Sequence, residues 1–186
     1  MHFCVLLITK DFPTNRVIAS AMKPFNEEAD YERRAGNPNA QRMAFLWDYW
    51  KLGGRYGASL KIDVSGKNFE KYELLYYAKE PRSNRLFRSA ILESANFGRR
   101  SSGLTEEDAL LYMGARDGVI YADAAKIEDL AAVPVGWAIV LPNGEAYSRT
   151  SWDGDIWSEN PSFDEQIEAA IAENNDCWIS VIDIHD

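Results

Sequence analysis

The eleven residues from Trp47 to Gly57, Trp-Asp-Tyr-Trp-Lys-Leu-Gly-Gly-Arg-Tyr-Gly, gather side chains suited to holding a ligand. Trp47, Trp50 and Tyr56 offer flat faces on which a base or another ring can stack. Gly53 and Gly54 let the backbone take positive φ or approach a ligand closely. Arg55 follows them directly, and its rigid five-donor fork suits a phosphate or a carboxylate. Asp48 supplies the one carboxylate of the stretch. The plain alternative is a buried turn into a strand, with the aromatics serving the core and Arg55 paired to a local acid.

Two further groups carry chemical potential. Arg82, Arg85, Arg88, Arg99 and Arg100 share residues 82–100 with a single acid, Glu93, and could form an anion pocket or a solvated helix face. Arg99 and Arg100 join the expected ligand set on that basis. Asp183 and His185 lie two apart in a strand-like run, so they share a face. A carboxylate beside an imidazole orients a general base, which makes this pair the catalytic candidate. His2 would join them if the terminal strands pair, and a metal site is then conceivable; the alternative is a frayed, solvated chain end.

Several chemistries find no support. The chain has no Gly-x-Gly-x-x-Gly, no phosphate-binding Gly-x-x-x-x-Gly-Lys and no zinc spacing, and its only histidines are His2 and His185. A histidine-rich metal centre is excluded, and neither a metal nor a cofactor is expected. The net charge of −9 is uneven. Residues 151–186 hold ten acids and no Lys or Arg, leaving 19 acids against 20 bases elsewhere. That balance argues against a dedicated nucleic-acid binder, which would show a basic face. No apolar run approaches the ~20 residues needed to span a bilayer. Cys4 and Cys177 stand in apolar runs without metal spacing, which reads as reduced thiols in a cytosolic compartment.

The elements must position these residues. His2–Thr9 and Cys177–His185 read as buried strands, and Leu60–Val64 alternates as a strand. Thr14 or Asn15 caps a short helix to about Lys23, and the polar run from Phe25 to Ala44, with its Asn37-Pro-Asn39 turn, reads as a long connector. Helices are expected over Arg85–Ala95, from the Thr105-Glu-Glu-Asp108 capping box to Met113, and over Ala122–Leu130. Gly118–Tyr121 reads as a short strand, while Tyr72–Tyr77 fits strand and helix equally. Trp137–Leu141, Pro142-Asn-Gly144 and Glu145–Ser148 form a hairpin signal favouring a tight type I′ turn. Ser162-Phe-Asp-Glu165 is a second capping box, opening a helix with Phe163, Ile167, Ala170 and Ile171 inward. The implied class is α+β, one domain over 1–186 with a central antiparallel or mixed sheet and helices on one face. The specific expectation is a ferredoxin-like core with an inserted middle region at about 66–118.

The opening strand, Asn37-Pro-Asn39, the Trp-Asp-Tyr-Trp-Lys-Leu-Gly-Gly-Arg run, the Pro-Asn-Gly hairpin and the closing Val-Ile-Asp-Ile-His resemble a family of small bacteriophage proteins of uncharacterised activity. The resemblance implies a phage-type accessory protein acting in the host bacterial cytoplasm, where many such proteins oppose host defence. Joined to the residue chemistry, the leading expectation is a sponge that sequesters an anionic, nucleotide-like immune signal, as a monomer or a homo-oligomer. An enzyme cleaving that signal, a nucleotide phosphodiesterase using Asp183 and His185, is the second. An acidic inhibitor that binds a host defence protein through helix 162–174 and the aromatics Trp152 and Trp157 is the third.

Overall fold

The computed structural model describes residues 1–37, 43–57, 59–63, 119–152 and 156–185. The runs apolar on both faces become β1 (His2–Thr9) and, at the other end of the chain, β10 (Trp178–His185). They pair antiparallel along their whole length, from His2 opposite His185 to Thr9 opposite Trp178. Strands without a polar face must be covered on both sides, and these two sit at the middle of the sheet. β2 (Tyr49–Leu52) lies outside β10, antiparallel to it. β6 (Ala138–Val140) runs parallel to β1, and β7 (Ala146–Ser148) returns antiparallel to β6. β5 (Ala124–Lys126) pairs with the first residues of β10 and completes a mixed six-stranded sheet. Two smaller ladders join β3 (Leu60–Asp63) to β4 (Val119–Ala122), and β8 (Thr150–Trp152) to β9 (Trp157–Glu159).

Side-chain alternation divides the core in two. Val5, Leu7, Ile182 and Ile184 face α1 (Asn15–Met22) and pack with its Ile18 and Met22 and with Phe25 and Phe45. Cys4, Leu6, Ile8, Ile179 and Val181 face the other way, onto Leu60, Ile62 and a helix near the end of the chain. Each large apolar side chain buried in these layers contributes about 1.5–3 kcal/mol. α2 (Glu27–Gly36) follows a 3-10 turn after α1, and α3 (Phe163–Glu173) buries Phe163, Ile167 and Ala170 in the second cluster. The α+β class therefore holds, with helices on both faces of the sheet rather than one. In the core order β10-β1-β6-β7 the first strand of the hairpin sits beside β1, whereas a ferredoxin-like core seats the second strand there.

Four local expectations are corrected. The polar connector contains α2, capped by Asn26, whose Oδ1 accepts from the Ala29 amide at 3.3 Å. Acids Glu27, Glu28 and Asp30 open the helix and Arg33 and Arg34 close it, a charge order that complements the helix dipole. It lacks an apolar stripe, and its one buried residue, Asp30, pairs with Arg33. Residues 124–129 form β5 and a 3-10 turn instead of a helix, because Ala124 and Ala125 bury against the start of β10. Inside the Leu141–Glu145 pair the β6–β7 turn has three residues, 142–144, closed by the Leu141 amide on Glu145 O at 2.8 Å and the Gly144 amide on Leu141 O at 2.9 Å. Gly144 takes φ 86°, as in a turn ending in a glycine bulge rather than a type I′ pair. Ser162 makes no side-chain cap bond; Asn160 braces the entry to the helix instead, its Oδ1 accepting from the Ser162 amide at 3.2 Å and its Nδ2 donating to Gln166 Oε1 at 2.8 Å.

The expected insertion at about 66–118, its helices and its arginines, Arg99 and Arg100 included, lie outside the described residues, as do Pro38 and Asn39.

Candidate acid–base site

The register of the central strands assembles a site that neither end of the chain could form alone. His2 stands opposite His185 on β10, and β2 adds Tyr49 opposite His185 and Lys51 opposite Asp183. Opposed residues share a face of a sheet, so His2, Cys4, Asp183, His185, Tyr49 and Lys51 line one side of its end. His2 Nδ1 lies 2.9 Å from Asp183 Oδ1. His185 Nδ1 lies 3.0 Å from Asp48 Oδ1 and 3.2 Å from Oδ2. The two rings meet edge to face, with centroids 5.0 Å apart and planes at 70°. An ionised carboxylate only accepts hydrogen bonds, so each Nδ1–H donates and each Nε2 is left to take or give a proton. Both rings reach solvent, His2 with 25% and His185 with 43% of the side chain exposed.

The two carboxylates are held differently. Asp183 is buried, and its second oxygen accepts from the Arg55 amide at 2.9 Å. That contact depends on the glycine pair. Gly53 and Gly54 take φ 70° and 53°, and the Gly53 amide donates to Val181 O at 2.8 Å. A Cβ on Gly53 would stand 2.6 Å from the Asp123 carboxylate, and one on Gly54 would overlap Asp183. The glycines thus let the backbone close over two carboxylates of the same chain. Tyr56, on the same 3-10 turn, donates its hydroxyl to His2 O at 2.9 Å and fixes the start of β1. Burial, then the nearby Cys4 and Asp183, raise the Tyr56 hydroxyl above its ordinary value, with Arg55 opposing. Burial and then Asp183 push the Cys4 thiol up to about 12, so it stays protonated and inert.

The sequence-expected residues separate into two places. Gly53, Gly54, Arg55, Tyr56, Asp48, Asp183 and His185 come together on the histidine side. Asp183 and His185 are not a hydrogen-bonded pair, however: Asp183 holds His2, and Asp48 holds His185. Trp47 and Trp50 belong to the opposite face, packed on the α1 side of the core, where the Trp47 indole nitrogen donates to Met22 O at 2.8 Å. Their stacking faces are therefore not shared with Tyr56. Arg55 is exposed at the tip of the turn. The residue sequence reasoning undervalued is His2, and its signal was the pairing of two apolar terminal strands.

No known family, curated protein or solved structure matches this chain.

Among the described residues no set of three or more His, Cys, Asp and Glu side chains is arranged to hold a metal ion. No helix among them is long and apolar enough to cross a membrane. The arrangement at the sheet end is chemically that of two proton-transfer groups side by side, each imidazole oriented through Nδ1 by a carboxylate. Two basic residues belong to the same end of the sheet, since Lys51 stands opposite Asp183 in register and the Arg55 amide donates to the Asp183 carboxylate.

Proposed function

We propose that this protein cleaves a small nucleotide-like phosphodiester by acid–base catalysis at His2 and His185. The observation that carries the reading is the adjacent pair of carboxylate-held imidazoles. In the reaction, one neutral imidazole takes the proton of an attacking hydroxyl or water as the new P–O bond forms. The other, protonated, gives its proton to the leaving oxygen as the old P–O bond breaks. Positioned proton transfer of this kind contributes about 10²–10⁴-fold. Arg55 supplies a guanidinium matched to phosphate oxygens, and Lys51 adds a second positive charge. In the phage-type setting that the sequence resemblance implies, the substrate is a nucleotide immune signal in the host cytoplasm.

Sequestration without turnover is the second reading, favoured by the exposed Arg55 beside the ring of Tyr56 on one turn. The two are separated by incubating a cyclic dinucleotide with the protein, heat-denaturing the mixture and analysing the supernatant by chromatography. The expected result is a processed product that disappears with His2→Gln and with His185→Gln, both folded by circular dichroism. Depletion of the dinucleotide followed by its unchanged recovery makes the protein a sponge. Neither depletion nor product favours a protein inhibitor of host defence, acting through the acidic α3 and the exposed Trp157.

A further inference from the structure

Trp47 and Trp50 lie away from the histidines, and their surroundings are of opposite character. They line an open groove of about 510 Å³ between β2 and the helices α1 and α2. Glu28 and Glu32 of α2 line it too, as do Asn26 and Lys23. Glu28 and Glu32 are one helical turn apart, so they project along the same helix face, roughly 5–6 Å between Cβ atoms. The sequence pattern alone made the two indoles a platform for an anion. The folded chain gives them two carboxylates and one ammonium, an environment that opposes an anion and suits a cation.

We propose that this groove is a binding site for a small aliphatic diamine or polyamine. Its alkyl stem lies along the indoles of Trp47 and Trp50, which attract an ammonium through their π-faces. Two ammonium groups separated by a short alkyl chain match the spacing of Glu28 and Glu32, each forming a charge-assisted hydrogen bond. A neutral alkyl chain gains nothing from the carboxylates, and a nucleotide is repelled by them. The match between ligand and groove is one of charge and of apolar length together. This site is independent of the histidine pair, because strand alternation puts Trp50 and His185 on opposite faces of the sheet.

The test is calorimetric titration of the full chain with putrescine, with uncharged butanediol and adenosine monophosphate as comparison probes. Saturable one-to-one binding of putrescine and none of butanediol is expected, with the putrescine affinity weakened roughly tenfold by Glu28→Gln with Glu32→Gln, while any heat from the monophosphate at the histidine side is unchanged by that variant. Trp50→Leu is expected to weaken it roughly fivefold. The matched variant Glu165→Gln with Glu168→Gln, which removes two carboxylates from α3, is expected to leave it unchanged. Circular dichroism on every variant confirms that the fold is kept. No saturable heat, equal weakening by the α3 variant, or tighter binding of the monophosphate in the groove would each overturn the proposal. Equal weakening in particular would mean only general attraction of a cation to a chain of net charge −9.

Discussion

The two imidazoles have matching partners but unequal support. Asp183 is buried and holds two donors, His2 Nδ1 and the Arg55 amide, whereas the Asp48 side chain is half exposed and beside the chain end. Asp183→Asn puts an amide where two donors converge, so one buried donor loses its acceptor. It should destabilise the fold by about 1–3 kcal/mol, read as a lower urea midpoint. Asp48→Asn should leave that midpoint within about 0.5 kcal/mol, because exposed pairs contribute little, while lowering turnover. Equal midpoints for the two variants would remove Asp183 from its structural role. Cys4 belongs to the same neighbourhood and gives a pH signature. Its folded thiol titrates near about 12 against an ordinary 9.0, so the unfolded chain ionises first. Its contribution to stability is complete below the ordinary value and is lost as the pH rises through that window. Stability of the native protein should therefore fall faster than that of Cys4→Ala as the pH rises from 9.0 towards about 12, measured by urea titration at each pH. Parallel curves would refute the burial of the thiol.

At the scale of elements, the glycine elbow before the 3-10 turn is the part least tolerant of change. Gly54→Ala forces a methyl into Asp183 at a positive φ, and a loss of several kcal/mol is expected, about 3 or more. A melting temperature unchanged from the native protein would show that the turn lies elsewhere. Asn26→Ala removes the cap of α2 and should cost about 1 kcal/mol, visible in the urea midpoint. Elements written in a continuous apolar run, an alternation, a cap or a helical stripe were legible: β1 and β10, β3, α1 with its Thr14 cap, and α3 with its Phe163, Ile167 and Ala170. α2 was not, because it is stabilised by capping and charge order and carries no apolar stripe. Nor was β5, whose Ala124 and Ala125 are strong helix formers by propensity, overruled by pairing with β10. Of the candidate site, Asp183, His185 and the Gly-Gly-Arg turn could be chosen from residue types and spacing. Their pairing could not, since which carboxylate meets which imidazole is fixed by strand register across nearly the whole chain.

The described part of the molecule is built on a sheet with β1 and β10 at its centre. That choice follows from hydrophobicity, because the two runs apolar on both faces take the positions covered on both sides. It also explains why the histidines, 183 positions apart, become neighbours. The same topology has a consequence during synthesis. β1 leaves the ribosome long before β10, its principal partner, because most of the chain lies between them. At ordinary elongation rates of about 5–20 residues per second, the nascent chain carries an unpaired, strongly apolar strand for roughly 10–35 s. Throughout that interval it is a target for chaperones and for misassembly with its neighbours on the same messenger. Any ribosome that stalls before Trp178 releases a chain without its central strand, which quality control can recognise by the bare edge of β1.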